Sequence, residues 1–379
     1  MIDLLGDIPG QQRVKNILSK FQPKSSIPHA LLFIGPDGVG KEFVAVRFAQ
    51  SINSNILENG VREKRLKQIS SLSEPYVKYI IPLPRGKNET DSDGPTDKLT
   101  TDDIKLLQTE LGIKAKNLYH KISLPGANNI KINSIRSIKK FLLMQYEDVA
   151  YRFIIISSAH LMNEAAQNAL LKNLEEPPKG VVFILVTPFP ERLRETIRSR
   201  CWKINFDPLS TKELTQVLTN NYNIDTSVTN SVVQFAEGSV TNALKLIDMD
   251  IRTLVEKTIS ILRYSFGKKY NSAFEEFNNL LADRNTENIR IILKMIIIWL
   301  NDLQKHKSGV DQLFFAEHKE TLEKFNSKFP DVELNDIVFK LDKLSSSIKN
   351  NININLLVAN IIFELSALTT PQVSQLTTY

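Results

Sequence analysis

The chain has 379 residues, of which 42% are hydrophobic and 24% are charged, with a net charge of +6 at pH 7. A chain of this length is too long to fold around one ordinary hydrophobic core, so we predict two or three domains. The small excess of positive charge permits contact with nucleic acid without requiring it. The single cysteine, Cys201, excludes a disulfide framework and a cysteine-based zinc site within the chain, and it favours a cytoplasmic location.

The first two hundred residues alternate short apolar runs with helical patterns, which predicts a parallel sheet covered by helices. Continuous β-branched runs fit strands that are buried on both faces, and they predict strands at Ala30–Ile34, Arg152–Ser157 and Val181–Val186. A helix with Asn163 as its N-cap is predicted at Met162–Leu174, before the stop at Pro177 and Pro178.

An insertion, residues 57–126, is predicted between the first two of these strands. Its centre, Arg85–Asp103, is rich in Gly, Asp, Thr and Lys, which is typical of a mobile loop. Its one histidine, His120, is expected at the surface. A helical pattern resumes over Ile130–Tyr146.

The second half of the chain shows helical patterns only. The apolar run Ile291–Leu300 reaches about half of the roughly 20 residues that a membrane span needs, so we expect a buried helix and no membrane partner. Leu357, Ile361 and Leu365 form a stripe that must be buried. The predicted domains are an α/β domain at 1–207, a small helical domain at 208–250, a helical domain at 251–368 and a frayed tail at 369–379.

A glycine-rich loop, Gly35-Pro36-Asp37-Gly38-Val39-Gly40-Lys41, follows the first predicted strand and opens a helix. This is the G-x-x-x-x-G-K spacing of a phosphate-binding loop, whose backbone N–H groups cradle phosphate oxygens while the lysine reaches the terminal phosphates. We therefore predict nucleotide-binding roles for Gly35, Gly38, Gly40 and Lys41.

The residues that hold magnesium in an active phosphate loop are missing from this sequence. Glu42 stands where a serine or threonine hydroxyl would bind the metal, although an acid in the first turn of a helix suits the helix dipole. The strand at Arg152–Ser157 continues into Ser158 and His160 instead of carboxylates, and His160 is expected at the surface or at a helix cap. This degenerate metal site predicts little or no ATP hydrolysis. ATP binding stays open, because Lys41 favours it and Glu42 opposes it.

Several motifs resemble one known family. The run from Met162 to Pro178 resembles the helix after the Walker B strand in bacterial clamp-loader subunits, and Gly10-Gln11, His29-Ala30 and Ser199-Arg200-Cys201 match the same proteins. On these motifs the chain resembles the delta-prime family of DNA polymerase III subunits. The resemblance is specific over residues 10–206 outside the insertion, and it is architectural over the C-terminal helices.

The resemblance implies a three-domain AAA+ protein with an ATPase-type P-loop domain, a small helical lid and a helical collar. In this family the collar joins five different subunits into an open ring that loads the sliding clamp onto primed DNA. The delta-prime subunits that this chain resembles act as a non-catalytic stator, so the resemblance implies that no cofactor is required. Carried over residue by residue, Arg200 is an arginine finger that acts in trans on a neighbour's ATP, and Thr187 takes the sensor-1 position.

Two departures from the family pattern and two alternatives accompany this interpretation. No arginine follows Gly238-Ser239 as a γ-phosphate sensor, and the insertion has no cysteine, so we expect no zinc module. One alternative is an active ATPase that uses Glu42 or Glu164 as its acid. The other is a nucleic-acid-binding accessory module that uses Lys139 and Lys140 on phosphates.

Overall fold

The structure, a computed structural model, describes residues 5–21, 27–54, 59–72, 76–143, 151–281, 286–348 and 353–369. The chain divides into two compact units, residues 1–244 and 245–379. The predicted domain borders at 207 and 250 stay predictions. The end of the predicted helix at Tyr146 and the predicted tail beyond Thr369 lie outside the described residues.

A parallel sheet forms the centre of the first unit, as the apolar runs predict. In the described residues it runs in the order β2-β3-β4-β1-β5. Its strands are β1 (Ala30–Ile34), β2 (Val77–Ile80), β3 (Arg152–Ile156), β4 (Val181–Thr187) and β5 (Trp202–Asn205). All pairs are parallel, so their carboxyl ends meet at one edge, where ligands bind in open α/β sheets.

Helices cover both faces of this sheet. Alternate strand residues point to opposite faces. Leu32 and Phe183 therefore pack in one core with the helices α5 (Ile132–Leu143) and α6 (Glu164–Glu175), while Phe153 contacts Phe48 of α2 (Lys41–Ser54) on the other face. The helices of the unit include α1 (Gln12–Leu18), α2 (Lys41–Ser54), α3 (Asn59–Ser70), α4 (Thr101–Lys116), α5 (Ile132–Leu143), α6 (Glu164–Glu175), α7 (Glu195–Arg198), α8 (Thr211–Tyr222) and α9 (Thr226–Val233), and α10 (Val240–Asp248) runs into the second unit.

The three predicted strands are confirmed, with ends that differ by at most one residue. The helix α6 is confirmed as well, and the Asn163 side chain caps it by accepting a hydrogen bond from the backbone N–H of Ala166 at 2.8 Å. Its last residue is Glu175, just ahead of Pro177 and Pro178.

The segment predicted as an insertion, residues 57–126, contains α3, the edge strand β2 and α4. The strands β1 and β3 are therefore not consecutive along the chain, contrary to the expectation from sequence, and β2 pairs with β3. The predicted mobile loop is wrong for its last residues, because α4 begins at Thr101. Its remainder forms successive turns in which an acid accepts a backbone N–H three residues earlier, as Glu89 does from Gly86 at 2.8 Å and Asp93 from Thr90 at 2.7 Å.

Helices are the only regular secondary structure in the described residues of the second unit. The buried run Ile291–Leu300 lies within α13, and the predicted stripe Leu357, Ile361 and Leu365 is buried on α16. None of the described helices is long and apolar enough to cross a membrane. The helices are α11 (Ile251–Phe266), α12 (Tyr270–Leu280), α13 (Thr286–Lys307), α14 (Lys319–Lys328), α15 (Asn335–Ser347) and α16 (Ile354–Ala367).

Candidate functional site

The glycine loop lies at the carboxyl edge of the sheet, between β1 and α2, as its sequence predicts. Gly38 and Gly40 have φ angles of 74° and 90°, a conformation that residues with a Cβ rarely adopt. Gln11 ties the loop to the end of the sheet, because its side-chain amide donates to the carbonyl oxygens of Val39 at 3.2 Å and Asp207 at 2.6 Å. The predicted phosphate-binding residues are therefore brought together in one loop.

Lys41 is turned back onto its own loop. Its side chain is 5% exposed, and its ammonium donates hydrogen bonds to the carbonyl oxygens of Gly35, at 2.6 Å, and Pro36. Asp37 lies 4.0 Å from the same ammonium. Burial lowers the pKa of Lys41 to about 8, against the opposing effect of the neighbouring acids. Two of the three N–H donors of Lys41 that would reach a phosphate are thus used by the loop itself.

Glu42, at the position of the metal-binding hydroxyl, lies at the centre of a cluster of polar side chains. Its carboxylate accepts hydrogen bonds from the Tyr79 hydroxyl at 2.7 Å and from the Ser157 hydroxyl, and it forms an ion pair with Lys114. Burial alone would raise the pKa of Glu42, but the Lys114 ammonium and the two hydroxyl donors outweigh it and hold the pKa below its usual value.

Lys114, like Tyr79, is a residue of this site that sequence reasoning missed. It lies near the end of α4, its side chain is 2% exposed, and it donates to the carbonyl oxygens of Leu118 at 2.8 Å and His120 at 2.6 Å. No local motif marks it, because its partner Glu42 is far away in sequence. His120 is half-buried instead of a plain surface residue, with its Nε2 atom 2.9 Å from a carboxylate oxygen of Glu110.

The residues after Lys114 cover the loop. The Tyr119 ring packs edge-on against Phe43 with 5.1 Å between ring centroids, and a Cβ built on Gly40 would lie 3.1 Å from it. Lys121 forms an ion pair with Asp37 at 2.6 Å. Burial would raise the pKa of Asp37, but Lys121 and Lys41 together hold it below its usual value.

The ends of β3 and β4 carry hydroxyls and a histidine in place of carboxylates. Thr187 is fully buried, and its hydroxyl accepts from the backbone N–H of Phe189 at 2.9 Å and lies 3.2 Å from the Nδ1 atom of His160. His160 is half-buried and caps no helix, which corrects its predicted placement. Burial, aided by Arg192 and opposed by Asp37, lowers the pKa of His160 to about 4, so the ring is neutral at pH 7.

Arg200 lies two residues after the end of α7, in a partly exposed position. Its guanidinium contacts a carboxylate oxygen of Glu175 at 2.9 Å and donates to the carbonyl oxygen of Thr196 at 2.9 Å. Its side chain is 36% exposed. Glu164, the acid of the alternative ATPase interpretation, instead pairs with Arg194.

A magnesium nucleotide does not fit this arrangement. Lys41 is bound by its own loop, the metal position carries a carboxylate paired with Lys114, and the cavity beside the loop has about 50 Å³ of free volume, far below the roughly 300–1,000 Å³ of ordinary small-molecule sites. Among the described residues, no three His, Cys, Asp or Glu side chains group closely enough to hold a metal ion.

Two family models match the chain. The family described as DNA polymerase III, delta subunit, matches residues 10–210, and the C-terminal family of the same subunit matches residues 256–367. The delta' subunit of DNA polymerase III from Bacillus subtilis is 21% identical over 366 residues, which cover 94% of this chain and 96% of that protein.

Relatives named as tau and gamma subunits are matched over only part of their own length. The tau subunit of DNA polymerase III from Bacillus subtilis is 24% identical over 65% of this chain, which spans just 37% of tau. The gamma subunit from Buchnera aphidicola subsp. Baizongia pistaciae is 22% identical over 76% of this chain and 69% of gamma. A solved gamma-subunit-related protein from Thermotoga maritima aligns over 95% of this chain and 99% of its own, at 16% identity and a TM-score of 0.43.

Proposed function

Because the chain belongs to the DNA polymerase III delta subunit family, we propose that it is a non-catalytic stator subunit of a clamp loader. In this role it assembles with other loader subunits and helps to place a sliding clamp on primed DNA. It turns over no ATP of its own, and it completes the ATP site of a neighbouring subunit with Arg200.

One observation carries the non-catalytic part of the proposal: Glu42 fills the metal-binding position and is neutralised by Lys114 from the same chain. A magnesium ion beside the phosphates needs a hydroxyl and a carboxylate as ligands there. This chain offers Ser157 in place of the second acid, and that serine already donates to Glu42. Hydrolysis within this loop would require the whole cluster to rearrange.

The exposed position of Arg200 supports an action in trans. A guanidinium supplied by a neighbouring subunit stabilises the charge that develops on a transferred phosphoryl group. The ion pair of Arg200 with Glu175 is exposed, and such pairs contribute about 1 kcal/mol or less. Arg200 can therefore leave Glu175 for a phosphate at little cost.

The helical second unit supports assembly through the C-terminal region. It matches the C-terminal family model over residues 256–367 and consists of packed helices in its described parts. We place the contacts to the other subunits of a hetero-pentamer there. The clamp and primed DNA are contacted through the complex.

The experiment that tests this function is ATP hydrolysis by a loader reconstituted from the chain and its partner subunits. Arg200→Ala is compared with Arg194→Ala, a matched control, because Arg194 is also a surface arginine paired with an acid of α6. We expect Arg200→Ala to slow single-turnover hydrolysis at the neighbouring site by about 10³-fold, with assembly intact, and Arg194→Ala to match the wild type.

Two outcomes would contradict the proposal. Unchanged hydrolysis in the assembled Arg200→Ala complex would remove the arginine-finger role. Magnesium-dependent turnover by the purified chain alone would favour the alternative of an active ATPase.

A further inference from the structure

We propose that residues 114–121, here called the plug segment, permanently take the place of magnesium nucleotide on this chain's glycine loop and fasten the loop to the helical region at 208–244. The inference concerns the chain's own loop, so it stands apart from the action of Arg200 on a neighbour. It also gives the cysteine-free segment at 57–126 a role, because the plug segment lies near its end.

The first argument is that the cations around the loop are all satisfied by the chain's own oxygens. Lys41 donates to loop carbonyls, Lys114 pairs with Glu42 and donates to two carbonyls of the plug segment, and Lys121 pairs with Asp37. In a working nucleotide site, the lysine ammonium and the metal ion bind phosphate oxygens of the nucleotide. Here phosphates would have to displace an intrachain partner for each of the three lysines.

The second argument is steric. Tyr119 covers Gly40, the last glycine of the loop, and lies against Phe43 in the first turn of α2. This is the helix N-terminus whose backbone N–H groups bind phosphate in a working loop. Tyr119 is 6% exposed, so the ring is built into the core and does not rest on the surface.

The third argument is that the plug segment and the loop both hold the helical region. The Asn117 side chain donates to the carbonyl oxygen of Asn221 at the end of α8, at 3.0 Å. The Ser239 hydroxyl donates to the Asp37 carbonyl oxygen at 2.7 Å, and the Val240 N–H donates to the Gly38 carbonyl oxygen at 3.1 Å. A helical region that responded to nucleotide would need to break these bonds. The plug segment supplies one of these bonds and the loop it covers supplies the other two, so plug and loop together hold one arrangement at every nucleotide concentration.

The test is binding of a fluorescent ATP analogue with Mg²⁺ to the full-length purified chain. The opened variant Glu42→Ser with Lys114→Ala removes acid and cation together, so neither is left unpaired, and it restores a hydroxyl at the metal position. Lys116→Ala, an exposed lysine on the same helix, is the matched control. We expect no saturable binding by wild type or control. The opened variant should bind saturably, with an affinity at least about tenfold above the detection limit that wild type fails to reach, because the binding-competent state no longer competes with the plug.

A second measurement keeps the inference testable if the opened variant folds poorly. Lys121 is half exposed, so Lys121→Ala leaves the core unchanged. Hydrogen exchange of the loop amides should be unaffected by Mg-ATP in wild type and faster in Lys121→Ala.

The plug proposal would be overturned if the wild-type chain bound the ATP analogue and the Lys41→Ala variant did not. It would also be overturned by a folded opened variant that still binds nothing, or by unchanged loop exchange in Lys121→Ala. None of these results would alter the outcome of the Arg200 experiment, so failure of the plug and failure of the stator role are distinguishable.

Discussion

The ion pair between Lys114 and Glu42 should be a major source of stability in the first unit. Replacing Lys114 with Met keeps the apolar stem but leaves the Glu42 carboxylate with only two hydroxyl donors. Removing one partner of a buried pair costs about 3–5 kcal/mol. One fifth of the Glu42 side chain stays exposed, so we expect the lower end, about 3 kcal/mol. For a unit of this size that lowers Tm by about 6–12 °C.

The assay is a double-mutant cycle by scanning calorimetry with Lys114→Met, Glu42→Gln and both together. Each single change leaves one buried charge without its partner, whereas the double change removes both charges. We therefore expect a coupling energy of about 1–3 kcal/mol. Lys116→Met, which alters an exposed lysine on the same helix, should stay within about 0.5 kcal/mol of wild type. Effects of the two single changes that add to within about 0.5 kcal/mol would refute the assignment of a coupled pair.

Three further predictions follow from the same unit. The unfolded state protonates His160 near its ordinary pKa and the folded state only near pH 4, so stability falls as pH drops from about 6.5 to 4; His160→Gln should remove that part of the pH profile. Gly38→Ala should lower Tm, because φ is 74° and the new Cβ would lie 2.5 Å from the Thr241 nitrogen, at a cost of about 1–3 kcal/mol. Glu89→Gln should lower the free energy of unfolding in denaturant by about 1–3 kcal/mol, because the buried Glu89 carboxylate lies 2.8 Å from the Lys131 ammonium. An unchanged unfolding midpoint in Gly38→Ala or in Glu89→Gln would contradict the packing described.

The central strands could be predicted from sequence and the edge strands could not. β1, β3 and β4 are buried on both faces and are continuous apolar runs, a signal that needs no tertiary context. β2 and β5 lie at the two edges of the sheet and have only four residues each. β5 leaves all but Ile204 exposed, so its sequence has no apolar run. Such strands are defined by the neighbour they pair with.

The candidate site was predictable in the same uneven way. The glycine loop, Lys41 and the acid at Glu42 follow from local spacing, and the structure brings them together. What neutralises Glu42 does not follow from spacing, because Lys114, Tyr79 and Ser157 come from three separate elements. A buried lysine on a helix with several other charged residues has no sequence signature, and its role emerges only from the tertiary contacts.

The lone thiol of the protein gives it a built-in reporter. Cys201 directly follows Arg200, is 7% exposed, and has a pKa that burial raises to about 12. Only the thiolate reacts quickly with alkylating reagents, so at neutral pH the folded chain should be almost inert. The rate of labelling of the purified chain then measures how often the segment beside Arg200 opens, without an engineered probe.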